Sequence, residues 1–240
     1  MADNGRVRRR GAVERGRTAG AVFAVSVLLA ACVSTVDGTA VRGRGAAPLD
    51  VPLLGEAQLD RVLLSIGELN TIVGSTRMTV TGELDEMTDH SAEVSDPECL
   101  GAVYGAEEPV YAGTGWTAVR DQVAREPGDD NDHWVEQTAV LYPAAENAQS
   151  FFRDSATTWQ DCADAAITVG DGAYLWEFDE VDVGDALISQ MTTQQGADGW
   201  ACQHALAVVS NVTAEAWACG YSITDEAAAI ATAMVHNAAS

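Results

Sequence analysis

The spacing of apolar residues changes period several times along the chain, and each change marks an element. From Glu56 to Leu69 the apolar positions Leu59, Val62, Leu63, Ile66 and Leu69 recur every three or four residues, which predicts one amphipathic helix weakened near its end by Gly67. A short helical or irregular piece follows through Ile72 and Val73 to Gly74, and Arg77 to Gly82 reads as a strand. Residues 83 to 98 are acidic and without period, a loop ending at Asp96-Pro97, after which Cys99 to Tyr104 is short and apolar and Gly105 closes it. Trp116 to Glu126 is a strand with Thr117, Val119, Asp121 and Val123 on one side and Trp116, Ala118, Arg120 and Gln122 on the other. The turn cluster Pro127 to Asn131 joins it to a second strand, His133 to Tyr142, so the two form a β-hairpin. Pro143 suits the opening of a helix. Ala148, Phe151, Phe152, Ser155, Trp159 and Cys162 then fall on one stripe at helical spacing, which carries Cys162 to a helix end facing the core.

Asp171-Gly172 is a turn. Ala173 to Phe178 and Ala186 to Gln194 read as strands separated by the acidic stretch 179–182, and the turn 196–199 leads into Trp200 to Val209 and then Val212 to Tyr221. Asp225 caps a final helix that runs from Glu226 to about Asn237. The last hairpin carries a numerical test: a two-residue turn at Ser210-Asn211 makes facing residues sum to 421, and that sum sets Cys202 opposite Cys219. Opposed strand positions approach closely enough for a disulfide, and Asn tolerates the positive φ such turns require. The same register pairs His204 with Trp217 and leaves Ala205, Ala207, Ala214, Ala216 and Ala218 on the other face, a surface small enough for a helix to pack closely.

The beginning of the chain decides its compartment. Six arginines between Arg6 and Arg17 precede the apolar run Ala21 to Ala30, and Leu29-Ala30-Ala31-Cys32 reads as a lipobox. The run is too short to span a bilayer as a mature helix. The competing reading is an ordinary cleaved signal peptide with an incidental cysteine. The segment resembles bacterial lipoprotein precursors, which implies lipidation of Cys32 with a diacylglyceryl group, two chains being what stable anchoring needs. The expected organisation is therefore a signal peptide over 1–31, the lipidated Cys32 with a flexible tether over 32–52, and one extracytoplasmic domain over 53–240. Of the 13 basic and 36 acidic residues the leader removes six and two, leaving seven arginines, no lysine and 34 acids, a net charge of −27. Such a surface repels phosphate backbones and anionic headgroups, so no nucleic-acid partner is expected, and contact with the membrane is expected through the lipid anchor only.

With Cys32 assigned to lipid, four cysteines remain, an even number that outside the cytoplasm reads as two disulfides. The hairpin register selects Cys202 with Cys219, which leaves Cys99 with Cys162. A zinc site would want paired C-x-x-C or His spacing, and neither occurs.

A set of small motifs then appears in a fixed order: Leu59-x-x-x-Leu63-Leu64-Ser65, Pro97-x-Cys99, Trp116 with the Gln122 strand, Tyr142-Pro143, Ala148-x-x-Phe151, Trp159-x-x-Cys162, and the hairpin from Cys202 through Asn211 to Cys219. In this order and with these cysteine separations the chain resembles the PknH-like extracellular sensor domain family, the sensor domain of a mycobacterial serine/threonine kinase found also in stand-alone lipoproteins. The resemblance covers about residues 53 to 238. It implies an α/β domain of the α+β type, an antiparallel sheet with helices packed on it, the two disulfides just derived, and a single cleft suited to an unidentified small-molecule or cell-wall ligand. It implies no established activity. It extends to no kinase domain or transmembrane helix, so a signal is expected to pass to a separate envelope signalling partner, or the ligand is simply retained.

The residues themselves agree on the absence of a catalytic signature. There is no G-x-S-x-G, H-E-x-x-H, P-loop or G-x-G-x-x-G. The acids at 129–132 lack the spacing of a calcium loop. The four histidines are scattered, and His204 beside Trp217 reads as a packed sheet residue; no metal and no cofactor is expected. The expected function is a non-enzymatic, lipid-anchored sensor or ligand-binding protein; the alternative is a secreted cell-envelope hydrolase with a non-contiguous active site. For the ligand cleft, Arg120 stands out as a mid-strand charge that is costly to bury unpaired. With Gln122, Gln137 and Gln190 as uncharged companions it could hold an anionic group, and tryptophans would supply apolar wall.

Overall fold

The computed structural model describes residues 51–128 and 131–240. The expected leader, Cys32 and most of the tether lie outside the described residues. Eight strands, β1 (Thr79–Leu84), β2 (Ala118–Arg125), β3 (His133–Leu141), β4 (Ala166–Val169), β5 (Tyr174–Val183), β6 (Leu187–Gln194), β7 (Ala201–Val209) and β8 (Val212–Gly220), form one sheet in the order β1-β2-β3-β8-β7-β6-β5-β4. Every neighbouring pair is antiparallel. The helices are α1 (Ile66–Val73), α2 (Leu100–Val103), α3 (Glu108–Tyr111), α4 (Ala145–Asp161) and α5 (Glu226–Ala238).

Strand alternation sends two sets of residues to opposite faces, and a separate core forms on each. On one face Val135, Ala139, Ala205, Ala207, Ala214, Ala216 and Ala218 pack with Ala227, Ile230, Ala231 and Met234 of α5 and with the segment Leu54 to Val73. On the other, Val119, Val140, Ile188, Leu206 and Val208 pack under Phe151, Phe152, Ala156 and Trp159 of α4. The alanine face is covered by a helix as its residue sizes require. The β7–β8 register runs from Ala201↔Gly220 to Val209↔Val212, and both disulfides form, Cys202–Cys219 and Cys99–Cys162. Cys162 sits buried at the C-cap of α4, where the stripe of that helix carries it.

The structure departs from expectation at four points. The predicted helix over 56–69 is two elements: a 3-10 turn, Glu56–Arg61, and then α1, restarted by Ser65, whose side chain accepts from the Glu68 N–H while Glu68 caps back onto Ser65. The break is enforced from outside. The buried Gln137 side chain occupies both main-chain groups of Leu64, accepting from its N–H at 2.8 Å and donating to its C=O at 2.9 Å. The acidic stretch 179–182 is strand, not loop, because β5 runs through it and pairs Val181, Asp182 and Val183 with Gln190, Ser189 and Ile188 after a register shift. Its exposed acids are tolerated because most of β5 faces water. Ala166–Val169 adds an edge strand that the pattern did not announce. In the last hairpin it is Ser210, φ 51°, that takes the left-handed conformation. Asn211 instead turns its amide inward, bonding the N–H and C=O of Leu54 and the C=O of Tyr142 at 2.7–3.0 Å.

Candidate functional site

The register places side chains of five adjacent strands in rows on the α4 face. One row reads Trp134, Cys219, Cys202, Thr192 and Phe178, and the next reads Glu136, Trp217, His204, Gln190 and Val181. Around the first row lies a cavity of about 240 Å³, walled by Trp134, Trp176, Trp200 and Trp217, the Cys202–Cys219 disulfide, and Tyr104 and Val103 from the end of α2. Four of the chain's six tryptophans therefore share one cavity. Trp134, Trp176 and Trp200 are only partly buried, and with Trp217 and the disulfide they form an aromatic cluster that Trp176 joins to the core under α4. The i, i+2 pairs Trp200/Cys202 and Trp217/Cys219 explain the gathering, since alternation puts both members of each pair on one face.

Glu136 lies in the cavity wall, and behind it the sheet is polar. Its carboxyl hydrogen-bonds to Asp121, which also accepts from Thr138 Oγ1 at 2.6 Å. Burial holds the Glu136 pKa well above the ordinary carboxylate value, reinforced by the nearby Asp121, Glu215 and Glu107; burial likewise raises Asp121. Glu215 accepts from Tyr111 Oη at 2.9 Å and lies 2.7 Å from His204 Nε2. His204 is fully buried between the rings of Trp159 and Trp217, with centroids 3.9 and 4.0 Å away. Burial pushes its pKa down, against the pull of Glu215. Tyr104 at the cavity is pushed up to about 12, by burial first and then by Glu93, Glu107 and Glu136.

The residues singled out in the sequence go elsewhere. Arg120, Gln122 and Gln137 are on the opposite face, with Ala118 and Ala124, and together they hold the N-terminal segment. Arg120 donates to Asp60 at 2.8 Å and reaches Glu56 at 3.4 Å, and Gln122 links Glu83 to Gln137. A mid-strand arginine is accommodated there because the 3-10 turn brings two solvated acids over it, leaving the side chain 23% exposed. Gln190 alone shares the cavity's face; its amide donates to the Asp179 C=O and fixes the register shift of β5. None of the four lines the cavity. The tryptophans expected as apolar wall do line it, and Glu136 was missed because an acid in so acidic a chain carries no signal until its neighbours are known. His90, His133 and His204 each pair with a glutamate, not with a hydroxyl that a base could activate.

An eight-stranded antiparallel α+β domain, stapled by two disulfides and carrying a preformed aromatic cavity, defines the class structurally. Among the described residues no helix is long and apolar enough to cross a membrane. A sequence profile of PknH-like extracellular domains matches residues 54–237. The chain is 40% identical over 184 residues to the serine/threonine-protein kinases PknH of Mycobacterium bovis and of Mycobacterium tuberculosis H37Rv, matches that take in 76% of this chain. They take in 31% and 29% of those kinases, so the chain spans about a third of the length of the curated relatives it matches. The crystal structure of the extracellular domain of PknH from Mycobacterium tuberculosis superposes with a TM-score of 0.75 at 39% identity, covering 78% of this chain and 97% of that one. The chain belongs to the PknH-like extracellular domain family.

Proposed function

We propose that this protein is a lipid-anchored, extracytoplasmic sensor or ligand-binding lipoprotein without catalytic activity, and that its ligand occupies the tryptophan-lined cavity. The observation that carries the reading is family membership over nearly the whole domain, joined to a cavity whose walls are apolar with a single carboxyl among them, the composition of a binding pocket. The lipobox at Leu29 to Cys32 supports the anchor, and the pairing of the histidines with glutamates supports binding over hydrolysis. A partner in the envelope would read the occupied state.

Two measurements test this. A Cys32→Ala precursor expressed in a bacterial host should leave the membrane fraction, and complete retention there overturns the anchor. Native mass spectrometry of the domain purified from its own envelope should reveal a bound small molecule that Trp200→Leu weakens. Turnover of an ester, glycoside or phosphoester that one Asp, Ser or His substitution abolishes would overturn the non-enzymatic reading.

A further inference from the structure

Resting on that binding reading, we propose that the cavity is built for a cation carrying apolar substituents, a quaternary or protonated tertiary ammonium group held among Trp134, Trp176, Trp200 and Trp217 with Glu136 as its counter-ion. Tryptophan is the strongest of the aromatic cation binders, and the attraction grows as the site is desolvated. The residues lining this cavity include no arginine, lysine or histidine, and its ionisable members are Glu136 and Tyr104. Beyond Glu136 stand Asp121 on β2 and Glu215 on β8, and around Tyr104 stand Glu93 and Glu107. Of the two nearby histidines, His204 has its pKa lowered by burial, and His90 pairs with Glu107, one of these acids.

Rival ligand classes fit less well. An anion would meet the carboxyls without a basic partner. A sugar stacks on tryptophan but needs hydrogen-bonding partners for its hydroxyls, and the wall offers few polar side chains, chiefly Glu136, Thr192 and Tyr104. A neutral apolar molecule would suit the rings and leave Glu136 unused. The single carboxyl in a wall of mostly aromatic and apolar side chains is the feature that selects a cation. The domain's acidity would concentrate cations near it.

The free and occupied states then differ by one proton. Burial and the carboxyls of Asp121, Glu215 and Glu107 around it favour the protonated form of Glu136. A bound ammonium stabilises the carboxylate, so the Glu136 proton passes to solvent as the cation enters and charge is conserved. Below the folded pKa of Glu136, affinity should accordingly rise up to about tenfold per pH unit.

The test uses the disulfide-bonded domain with choline and its neutral isostere 3,3-dimethylbutan-1-ol, followed by calorimetry and tryptophan fluorescence. Choline should bind about tenfold or more tighter than the isostere, a gap set by the ring and carboxyl attractions, and should release a proton detectable as a buffer-dependent heat. Glu136→Gln should narrow the gap and abolish the proton release, while Trp176→Leu and Trp200→Leu, at partly exposed wall positions, should weaken choline and retain the proton release. Equal binding of the two probes overturns the cation reading. So does a failure of choline to bind while an envelope molecule still co-purifies, an outcome that leaves the ligand-binding function standing. No binding by choline and no co-purifying molecule overturns both.

Discussion

Gln137 holds the main chain of Leu64 from both sides, its Oε1 accepting the N–H and its Nε2 donating to the C=O, 73 residues away in sequence. This contact interrupts the N-terminal helix and seats it on the sheet. Gln137→Leu leaves both groups of Leu64 buried and unpaired at about 1–3 kcal/mol each, so a loss of about 2–6 kcal/mol is expected in urea unfolding. Arg120→Ala, which removes a contact to two solvated acids, should lose less than about 1 kcal/mol in the same measurement.

The disulfides should contribute unequally. Their sequence separations of 17 and 63 residues correspond, on chain-entropy grounds, to about 3 kcal/mol for Cys202–Cys219 and about 4 kcal/mol for Cys99–Cys162. Serine pairs replacing each bridge, compared by denaturant midpoint, should rank in that order. Non-reducing peptide mapping should recover these two pairs and no others.

What the sequence could disclose follows the range of the interactions involved. The pairing of Cys202 with Cys219, the alanine face under α5 and the buried stripe of α4 all rest on local periodicity, and each is present. The roles of Arg120 and Gln137 rest on what the chain brings opposite them, which period alone does not contain. Both are buried or half-buried polar groups that must find partners, and the partners present are the acids of the 3-10 turn and the main chain of Leu64. The cavity did leave a local mark in Trp200/Cys202 and Trp217/Cys219. Its other walls, Trp134, Trp176 and Tyr104, come from β3, β5 and α2 and meet only in the assembled sheet.

Stability should depend on pH in two opposed ways. Glu136 and Asp121 have raised pKa values in the fold, so their contribution is complete below the ordinary carboxylate range and is lost as pH rises through their folded values. His204 has a lowered pKa, so its contribution is present above the ordinary value of 6.5 and is lost as pH falls through its folded value. Urea midpoints from mildly acidic to mildly alkaline pH should show both limbs. Glu136→Gln should flatten the alkaline limb and leave the acidic one, and a variant with both limbs unchanged would contradict this assignment.

His204 and Glu215 should behave as a coupled pair. His204 Nε2 lies 2.7 Å from Glu215 Oε1, both residues are buried, and the other carboxyl oxygen of Glu215 has Tyr111 as its partner. His204→Phe can preserve the ring stack between Trp159 and Trp217, but it removes one of the two hydrogen-bond partners of a buried carboxyl, a change that costs about 1.5–3 kcal/mol where the group left behind is charged. In a Glu215→Gln background no charge remains to be stranded, and the same His204→Phe change should lose only a neutral hydrogen bond, about 1 kcal/mol. The double-mutant cycle should therefore return a coupling of about 0.5–2 kcal/mol, measured by denaturant unfolding. An equal loss in both backgrounds would mean that the histidine is retained for its ring stack alone and that Glu215 is satisfied by Tyr111.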